Sequence, residues 1–213
     1  MLLPAHPKVR FRLGSLDPRA VDEDFCRRLE NLPNLARHFH LSLQSGCDSV
    51  LQRMGRKYTA EEFYECVTRL RAIWPDASIT TDLIVGFPGE TEDEFAETLA
   101  FLDHCAFAAV HVFPYSVREG TRAASLPGQL TQQEKAARAE QAKAVAQRTG
   151  EAYRRSFIRR ELDALPEHRT GGLWAAHGVY GFPIYIEGQA RKNSPVRVQV
   201  LGLHRDGVCA KII

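Results

Sequence analysis

The chain has 213 residues, of which 44% are hydrophobic and 25% charged, a globular composition that excludes an intrinsically disordered tail. No apolar run approaches the roughly 20 residues of a membrane-spanning helix, and the N-terminal apolar stretch is too short for a secretory signal. Residues 1–130 carry 14 Lys and Arg against 18 Asp and Glu, a net charge of −4, whereas residues 131–213 carry 14 against 8, a net charge of +6. The basic second half indicates either a module that faces a polyanion or a solvated charged helix.

Strand and helix patterns alternate through the first half of the chain. Residues 9–13, 39–43, 78–87 and 108–113 show alternation or short apolar runs and predict four strands. Each gap between them holds a predicted helix, and two of these helices begin with capping boxes, Thr59 to Glu62 and Thr91 to Glu94. Repeated β–α units of this length predict a parallel sheet, either a barrel or part of one.

The predicted sheet is incomplete. Four strands are too few for a closed (βα) barrel, and the chain opens almost directly on the first of them. An uncovered edge strand invites association with another chain. We therefore expect residues 1–130 to form the later part of a larger domain, whose preceding units lie upstream or on a partner.

The second half of the chain predicts a long helix followed by a small antiparallel β-barrel. Residues 131–162 are rich in Ala, Gln, Lys and Arg, and a third capping box, Thr131 to Glu134, opens this helix. Residues 163–213 are rich in Gly and β-formers, with alternation at 183–186 and 196–200 and a hairpin turn signal at 205–207. A barrel of about 50 residues has the size of oligonucleotide-binding modules.

Candidate binding residues follow the predicted strands. Segments 14–18, 44–46, 86–90 and 114–121 are polar or contain glycine, and each comes directly after a strand. Ligands of parallel α/β domains bind outside the carboxyl ends of the strands. One such segment alone is usually a turn, so the repetition at one rim is the observation that favours a site.

Individual residues at this rim have competing interpretations. A carboxylate at Asp82, inside the third strand, is costly to bury without a partner or ligand hydroxyls, which favours a functional role. Gln44 is alternatively a satisfied amide that caps the sheet. Arg56 and Arg118 are alternatively surface cations. Glu90 is alternatively a cap of the following helix.

Four motifs occur in chain order: RFRLGSLDP (residues 10–18), HLSLQSG (40–46) with VLQRM (50–54), DLIVGFPGET (82–91) and HVFPYSVREGTRAA (111–124). Together they resemble the radical S-adenosylmethionine methylthiotransferases. The second and fourth are most similar to the branch that acts on threonylcarbamoyl-adenosine beside the tRNA anticodon. Residues 155–213 are more loosely similar to the TRAM domain, the RNA-binding β-barrel of this family.

The resemblance implies a fold, a chemistry and a set of contacts. The implied fold is α/β, an incomplete parallel (βα) barrel followed by a long helix and a TRAM-like antiparallel β-barrel. The implied chemistry is radical insertion of a methylthio group into a tRNA adenosine, with S-adenosylmethionine and [4Fe–4S] clusters as the family's cofactors. The implied cofactor contacts are Ser15, Gln44, Arg56, Asp82, Ile84, Val85 and Gly86. The implied substrate contacts are Tyr115, Ser116, Arg118 and Thr121.

The chain departs from the family at the cluster motif. The Cys-x₃-Cys-x₂-Cys sequence that holds the cofactor-cleaving cluster is absent, although three thiolates are needed to leave one iron open for the cofactor. The cysteines present, which match none of the family's ligands, are Cys26, Cys47, Cys66, Cys105 and Cys209. Their scattered spacing favours reduced thiols in a cytoplasmic protein. We therefore predict no metal ligands and no catalytic residues in this chain, which alone holds no cluster.

Three hypotheses for the function follow. In the first, the chain is the C-terminal half of a tRNA methylthiotransferase, completed by a cluster-bearing N-terminal half or a second chain. In the second, it is a non-catalytic RNA-binding module whose α/β half is a relic. Under either hypothesis, the TRAM-like part is expected to be shortened after Pro166. In the third, it is a barrel enzyme of small-molecule metabolism, which the missing strands and the basic tail argue against. The predicted phosphate contacts on tRNA are Arg154, Arg155, Arg159, Arg160, Arg191, Lys192 and Arg197.

Overall fold

The computed structural model describes residues 5–7 and 9–213. They fall into an α/β unit, Leu13–Asn31 with Phe39–Gly150, and a β-barrel unit, Glu151–Ile213 with Leu32–His38 and residues 5–7 and 9–12. The predicted domain boundaries at residues 130 and 162 stay a prediction, and the last passage of the chain between the units falls after Gly150. No helix of the described residues is long and apolar enough to cross a membrane.

The α/β unit is built around a sheet with alternating helices. Its elements are β1 (Phe11–Leu16), α1 (Glu23–Glu30), β2 (Leu35–Gln44), α2 (Asp48–Arg53), α3 (Ala60–Ile73), β3 (Ser78–Val85), α4 (Glu92–Cys105), β4 (Ala109–Pro114) and the long helix α5 (Gln132–Arg155). Within residues 9–213 the strands form a sheet in the order β1-β2-β3-β4. Strands β3 and β4 run parallel, with Asp82 opposite His111. The predicted fold class is confirmed.

The helices begin where the sequence predicts. At α3 and α4 the Thr59 and Thr91 hydroxyls accept backbone N–H bonds, and Glu62 and Glu94 accept bonds in return from the two capping residues. The same reciprocal pair opens α5, between Thr131 and Glu134. Each box satisfies two backbone donors that the first helical turn leaves without an intrahelical partner.

The two-residue period of the strands divides the sheet into a buried apolar face and a partly exposed polar face. Leu41, Leu43, Leu83 and Val85 are fully buried, and each such side chain contributes about 1.5–3 kcal/mol through removal of its apolar surface from water. Toward the carboxyl ends of β2 and β3, the side chains at the intervening positions stay partly exposed. These intervening residues are His40, Ser42, Gln44, Asp82 and Ile84. The alternation therefore presents a polar set of side chains on one face of the sheet.

The second unit is a closed five-stranded barrel within the described residues. Its strands are β5 (Glu161–Thr170), β6 (Leu173–His177), β7 (Pro183–Glu187), β8 (Val196–His204) and β9 (Gly207–Ile212), and the closing order is β5-β6-β7-β9-β8. Strands β7 and β9 are parallel, which corrects the prediction of a wholly antiparallel barrel. Leu162, Ile184, Ile186, Val198 and Val208 fill its core.

The long helix ends earlier than the sequence indicates. It stops at Arg155 instead of near residue 162, and Arg159 takes a left-handed φ of 71° that a helix cannot continue. The backbone N–H of Arg159 then donates to the carbonyl of Val200 at 2.9 Å, which starts the pairing of β5 with β8. Strand β5 accommodates Pro166 because its register shifts between Pro166 and His168.

Candidate functional site

An open cavity of about 400 Å³ lies at the carboxyl ends of β2, β3 and β4. The predicted contact residues that line it are Gln44, Asp82, Ile84, Tyr115, Ser116, Arg118 and Thr121. The cavity is completed by Phe87, Phe113, Pro114 and Ala123. This volume and this mixture of apolar walls with a few polar groups are typical of small-molecule sites.

The cavity contains a carboxylate that is held by a neighbouring strand. Asp82 Oδ2 lies 3.3 Å from His40 Nε2, and the Asp82 side chain stays 34% exposed. The other ring nitrogen of His40, Nδ1, lies 3.0 Å from the hydroxyl of Thr80. Asp82 therefore combines partial exposure to the cavity with a fixed orientation, an arrangement suited to accepting hydrogen bonds from ligand hydroxyls.

Tyr115 supplies a polar atom with an unmet hydrogen bond. Its side chain is buried, and its hydroxyl has no hydrogen-bond partner among the described residues. Its ring packs edge-on against Phe87, with 5.3 Å between the ring centroids, and the Lys135 ammonium lies 5.2 Å from the Tyr115 ring. A buried hydroxyl without a partner costs about 1–3 kcal/mol, so a ligand that bonds this atom gains affinity from it.

The loop after β3 is held by a buried ion pair. Arg138 of α5 donates to Glu90 Oε2 at 2.7 Å, and the Gly86 N–H donates to the same oxygen at 2.7 Å. Burial raises the pKa of the Glu90 carboxyl, and the hydrogen bond from Arg138 opposes that shift. Gly86 has a φ of 69°, and a Cβ there would lie 2.6 Å from Lys135 Cγ. Glu90 thus connects the loop after β3 to α5, and we call this pair of contacts the Glu90 clamp. These hydrogen bonds differ from a cap of α4, the alternative role that the sequence left open for Glu90.

Four predicted cofactor contacts lie outside the cavity lining. Ser15 is exposed at the end of β1, and Arg56 is exposed and lines a separate polar cavity that also includes Asp48. The Val85 side chain is fully buried on the apolar face of the sheet, and Gly86 offers backbone alone. The structure therefore brings together the predicted residues of β2, β3 and the segment after β4, and it does not bring Ser15 or Arg56 to the same cavity.

The predicted RNA contacts differ in how freely they present charge. The exposed members are Arg155, Arg159, Arg191, Lys192 and Arg197. Arg197 is already paired, with its Nη1 at 2.9 Å from Asp163 Oδ1. The Arg160 guanidinium stacks 4.3 Å over the Phe157 ring, and Arg154 is partly buried. The residues best able to meet phosphates are therefore Arg155, Arg159, Arg191 and Lys192.

A cluster of histidine and aspartate side chains is absent from the sequence-based predictions. His40, Asp82 and His111 each offer a ligand atom, and these atoms all lie within 4.8 Å of one another. They come from three neighbouring strands, so their proximity depends on strand order and register. The pairing of Asp82 with His111 across β3 and β4 is not visible in either motif alone.

The described cysteines do not fit an iron–sulfur cluster. Among residues 5–7 and 9–213, one group of three or more potential metal ligands comes together, namely His40, Asp82 and His111. This group contains no cysteine. Cys26, Cys47, Cys66 and Cys105 are buried thiols. Burial raises the pKa of Cys66 and of Cys105 to about 12, which keeps both protonated and poor as metal ligands.

Comparisons with known proteins agree with this geometry. Residues 6–102 match the model of the radical SAM superfamily. The chain is 41% identical over 158 residues to the threonylcarbamoyladenosine tRNA methylthiotransferase MtaB of Thermotoga maritima, covering 74% of this chain and 36% of the relative. It is 34% identical over 208 residues to the Chlamydia pneumoniae protein of the same name, covering 96% of this chain and 49% of the relative.

A second group of relatives is named for a different substrate. The tRNA-2-methylthio-N(6)-dimethylallyladenosine synthase of Thermobifida fusca is 37% identical over 191 residues, covering 90% of this chain and 37% of the relative. Among solved structures, coproporphyrinogen III oxidase (HemN) from Escherichia coli, a radical SAM enzyme, matches with a TM-score of 0.56 at 20% identity. That match covers 68% of this chain and 33% of HemN and indicates a shared fold.

The fold and the sequence matches both relate the chain to the radical SAM proteins. Residues 6–102 resemble the radical SAM superfamily, and the resemblance of the chain to part of a radical SAM methylthiotransferase is confirmed. It spans less than half the length of the curated relatives it matches, up to 49% in the Chlamydia protein.

Proposed function

We propose that this chain is the cofactor-facing and RNA-binding part of a tRNA methylthiotransferase that acts on an adenosine beside the anticodon. The observation that carries the proposal is the cavity at the strand ends, which combines Gln44, Asp82 and the segment from Tyr115 to Thr121. The threonylcarbamoyl-adenosine branch is favoured by the LSLQSG and HVFPYS motifs. Relatives named for both substrates match the chain at comparable identity.

S-adenosylmethionine fits the chemistry of this cavity. Its ribose hydroxyls donate hydrogen bonds, which the Asp82 carboxylate and the Gln44 amide oxygen can accept. Ile84 offers an apolar contact for the adenine. Tyr115 lines the cavity, and its hydroxyl is buried and has no partner among the described residues. When bound beside an iron–sulfur cluster in this family, the cofactor supplies a radical that abstracts hydrogen from an unreactive carbon.

In this proposal the residues of this chain bind and orient the cofactor and the substrate. Gln44 and Asp82 hold the nucleoside, while Ser116, Arg118 and Thr121 contact the substrate at the cavity mouth. Arg118 is exposed, and its planar guanidinium suits a carboxylate or phosphate through two parallel hydrogen bonds. In this proposal the iron–sulfur cluster is bound by other residues of the enzyme, since the described cysteines do not fit one.

The barrel is assigned to tRNA binding. Closed five-stranded barrels of this size include oligonucleotide-binding modules, and Arg155, Arg159, Arg191 and Lys192 are exposed cations of the barrel unit. Phosphate contacts of this kind make the affinity fall steeply with salt. The barrel thereby provides affinity for tRNA and leaves the choice of nucleoside to the α/β unit.

Reconstitution tests the proposal. This chain is combined with the cluster-loaded N-terminal half of the Thermotoga maritima relative and unmodified tRNA, and 2-methylthio-adenosine derivatives are measured by mass spectrometry. We expect product with the wild-type chain and far less with Asp82→Asn, whereas Asp93→Asn, an exposed substitution in α4, serves as the matched control.

A non-catalytic RNA-binding module is the second candidate. It is favoured by the four exposed cations of the barrel unit, which need no cofactor to bind phosphates. Salt-dependent tRNA binding without product in any combination of halves would support this candidate and contradict the first.

A further inference from the structure

Two histidines and one aspartate meet on the cavity-facing side of the sheet. His40 lies on β2, Asp82 on β3 and His111 on β4, and their ligand atoms lie within 4.8 Å of one another. His40 Nε2 and Asp82 Oδ2 are 3.3 Å apart, a separation close to that between two ligands of one metal ion with bonds of about 2.0–2.2 Å. Asp82 and His111 are register partners on adjacent strands, so the backbone fixes their side-by-side arrangement.

The hydrogen bond on the far side of His40 supports this geometry. Its Nδ1 lies 3.0 Å from the Thr80 hydroxyl, and Thr80 is buried. Metal-binding histidines nearly always bond through their other ring nitrogen, which fixes the ring orientation and the tautomer. When Nδ1 donates to the Thr80 hydroxyl, Nε2 carries no proton and is an acceptor. It then faces another acceptor, Asp82 Oδ2, at 3.3 Å, and a cation between the two atoms stabilises this arrangement.

The surroundings leave coordination positions open toward the cavity. Asp82 itself lines the cavity, and His111 is exposed. Three protein ligands with open positions are typical of sites where an exogenous molecule binds the metal, whereas structural zinc sites have four. Two imidazoles and one carboxylate suit zinc and divalent iron or cobalt better than magnesium or calcium, which prefer oxygen ligands.

We propose that His40, Asp82 and His111 bind one divalent transition-metal ion of the Zn²⁺ class, oriented by Thr80 and open to the cavity. The site uses imidazole and carboxylate ligands, so it is distinct from an iron–sulfur cluster. It shares Asp82 with the proposed cofactor site: Oδ2 faces His40, which leaves Oδ1 for a nucleoside hydroxyl. Metal binding is measured on this chain alone, so it does not require the proposed methylthiotransferase activity.

Zn²⁺ titration of the metal-free chain tests the site, with calorimetry for stoichiometry and Co²⁺ visible absorption for the ligand set. We expect one equivalent per chain and a Co²⁺ spectrum without thiolate-to-cobalt charge transfer. His40→Ala, Asp82→Asn and His111→Ala should each weaken Zn²⁺ binding at least about 100-fold, and Thr80→Val about 10-fold, as for loss of an outer-shell partner. His104→Ala and Asp93→Asn, both exposed in α4, are the matched controls.

A second measurement avoids any variant. Histidine ring resonances of the wild-type chain are followed by two-dimensional NMR during Zn²⁺ addition, and those of His40 and His111 should shift together at one equivalent. The proposal is overturned if Zn²⁺ fails to bind, if the His40, Asp82 and His111 variants bind it like the controls, or if Co²⁺ shows thiolate coordination. Binding of S-adenosylmethionine to chelator-treated protein separates a failed metal site from a failed cofactor site.

Discussion

Glu94 is the centre of a polar junction between α2 and α4, and its removal tests the electrostatics of the α/β unit. Arg53 donates through Nη2 to Glu94 Oε2 at 2.6 Å and through Nη1 to Oε1 at 2.8 Å. The Ser49 hydroxyl and the Thr91 backbone N–H donate to the same carboxylate. The hydrogen bond from Arg53 is the largest cause that lowers the pKa of Glu94 from 4.5 to about 2.

The sign and size of the effect follow from proton linkage. A carboxyl whose pKa is lower in the folded state stabilises the fold above its unfolded pKa, and this stabilisation is lost as the pH falls from about 4.5 through about 2. A shift of that size corresponds to roughly 3 kcal/mol. Because the Arg53 side chain is 30% exposed, solvent screening reduces the expected contribution. We expect about 2 kcal/mol at pH 7.

Urea unfolding of the wild type and of Glu94→Gln, measured from pH 2 to pH 7, reads this difference directly. The wild type should be more stable by about 2 kcal/mol at pH 7, and the two proteins should converge toward pH 2. Glu61→Gln, an exposed glutamate in the first turn of α3, is the control and should change stability little. A difference between wild type and Glu94→Gln that stays constant across this pH range would refute the reasoning.

Three further predictions address the clamp, the close packing and the RNA contacts. Arg138→Met leaves the Glu90 carboxylate buried without its cation and should cost about 3–5 kcal/mol in urea unfolding; a loss below about 1 kcal/mol would contradict the pairing. Gly86→Ala places a methyl group against Lys135 at a positive φ, so a loss of about 2–4 kcal/mol is expected, and an unchanged unfolding midpoint would rule out the close contact. Arg155→Ala should lower the salt slope of tRNA binding by about one, whereas Arg197→Ala should change it less because Asp163 already pairs with Arg197. Equal effects of the two arginine variants would contradict this assignment.

Local signals predicted much of the fold. Capping boxes located the starts of α3, α4 and α5 because they depend on residues three positions apart. The end of α5 and the start of β5 depend on distant partners instead, since Arg159 bonds to Val200 about 40 residues away. Strand β6 has Trp174 as its one strong β-former beside the Ala175–Ala176 pair, and it is held by its neighbours β5 and β7.

Site residues that one strand and its own end define were predictable from the sequence. Contacts between side chains of different strands were not, because they depend on strand order and register. Asp82 was identified from the cost of a carboxylate in an apolar strand, and it does face the cavity. Val85 comes three residues after Asp82, so the two-residue period of the strand places its side chain on the opposite, apolar face. His40 and His111 join Asp82 only through strand order and register, which a single sequence does not specify.

The central claim is that the cavity at the ends of β2, β3 and β4 binds S-adenosylmethionine, and NMR titration of the isotope-labelled chain tests it most directly. We predict that backbone and side-chain resonances of Gln44, Asp82, Ile84 and Tyr115 shift together on addition of the cofactor, and that Asp82→Asn weakens the response. Resonances that stay unchanged at these four residues up to millimolar cofactor, or shifts confined to the barrel, would contradict the account.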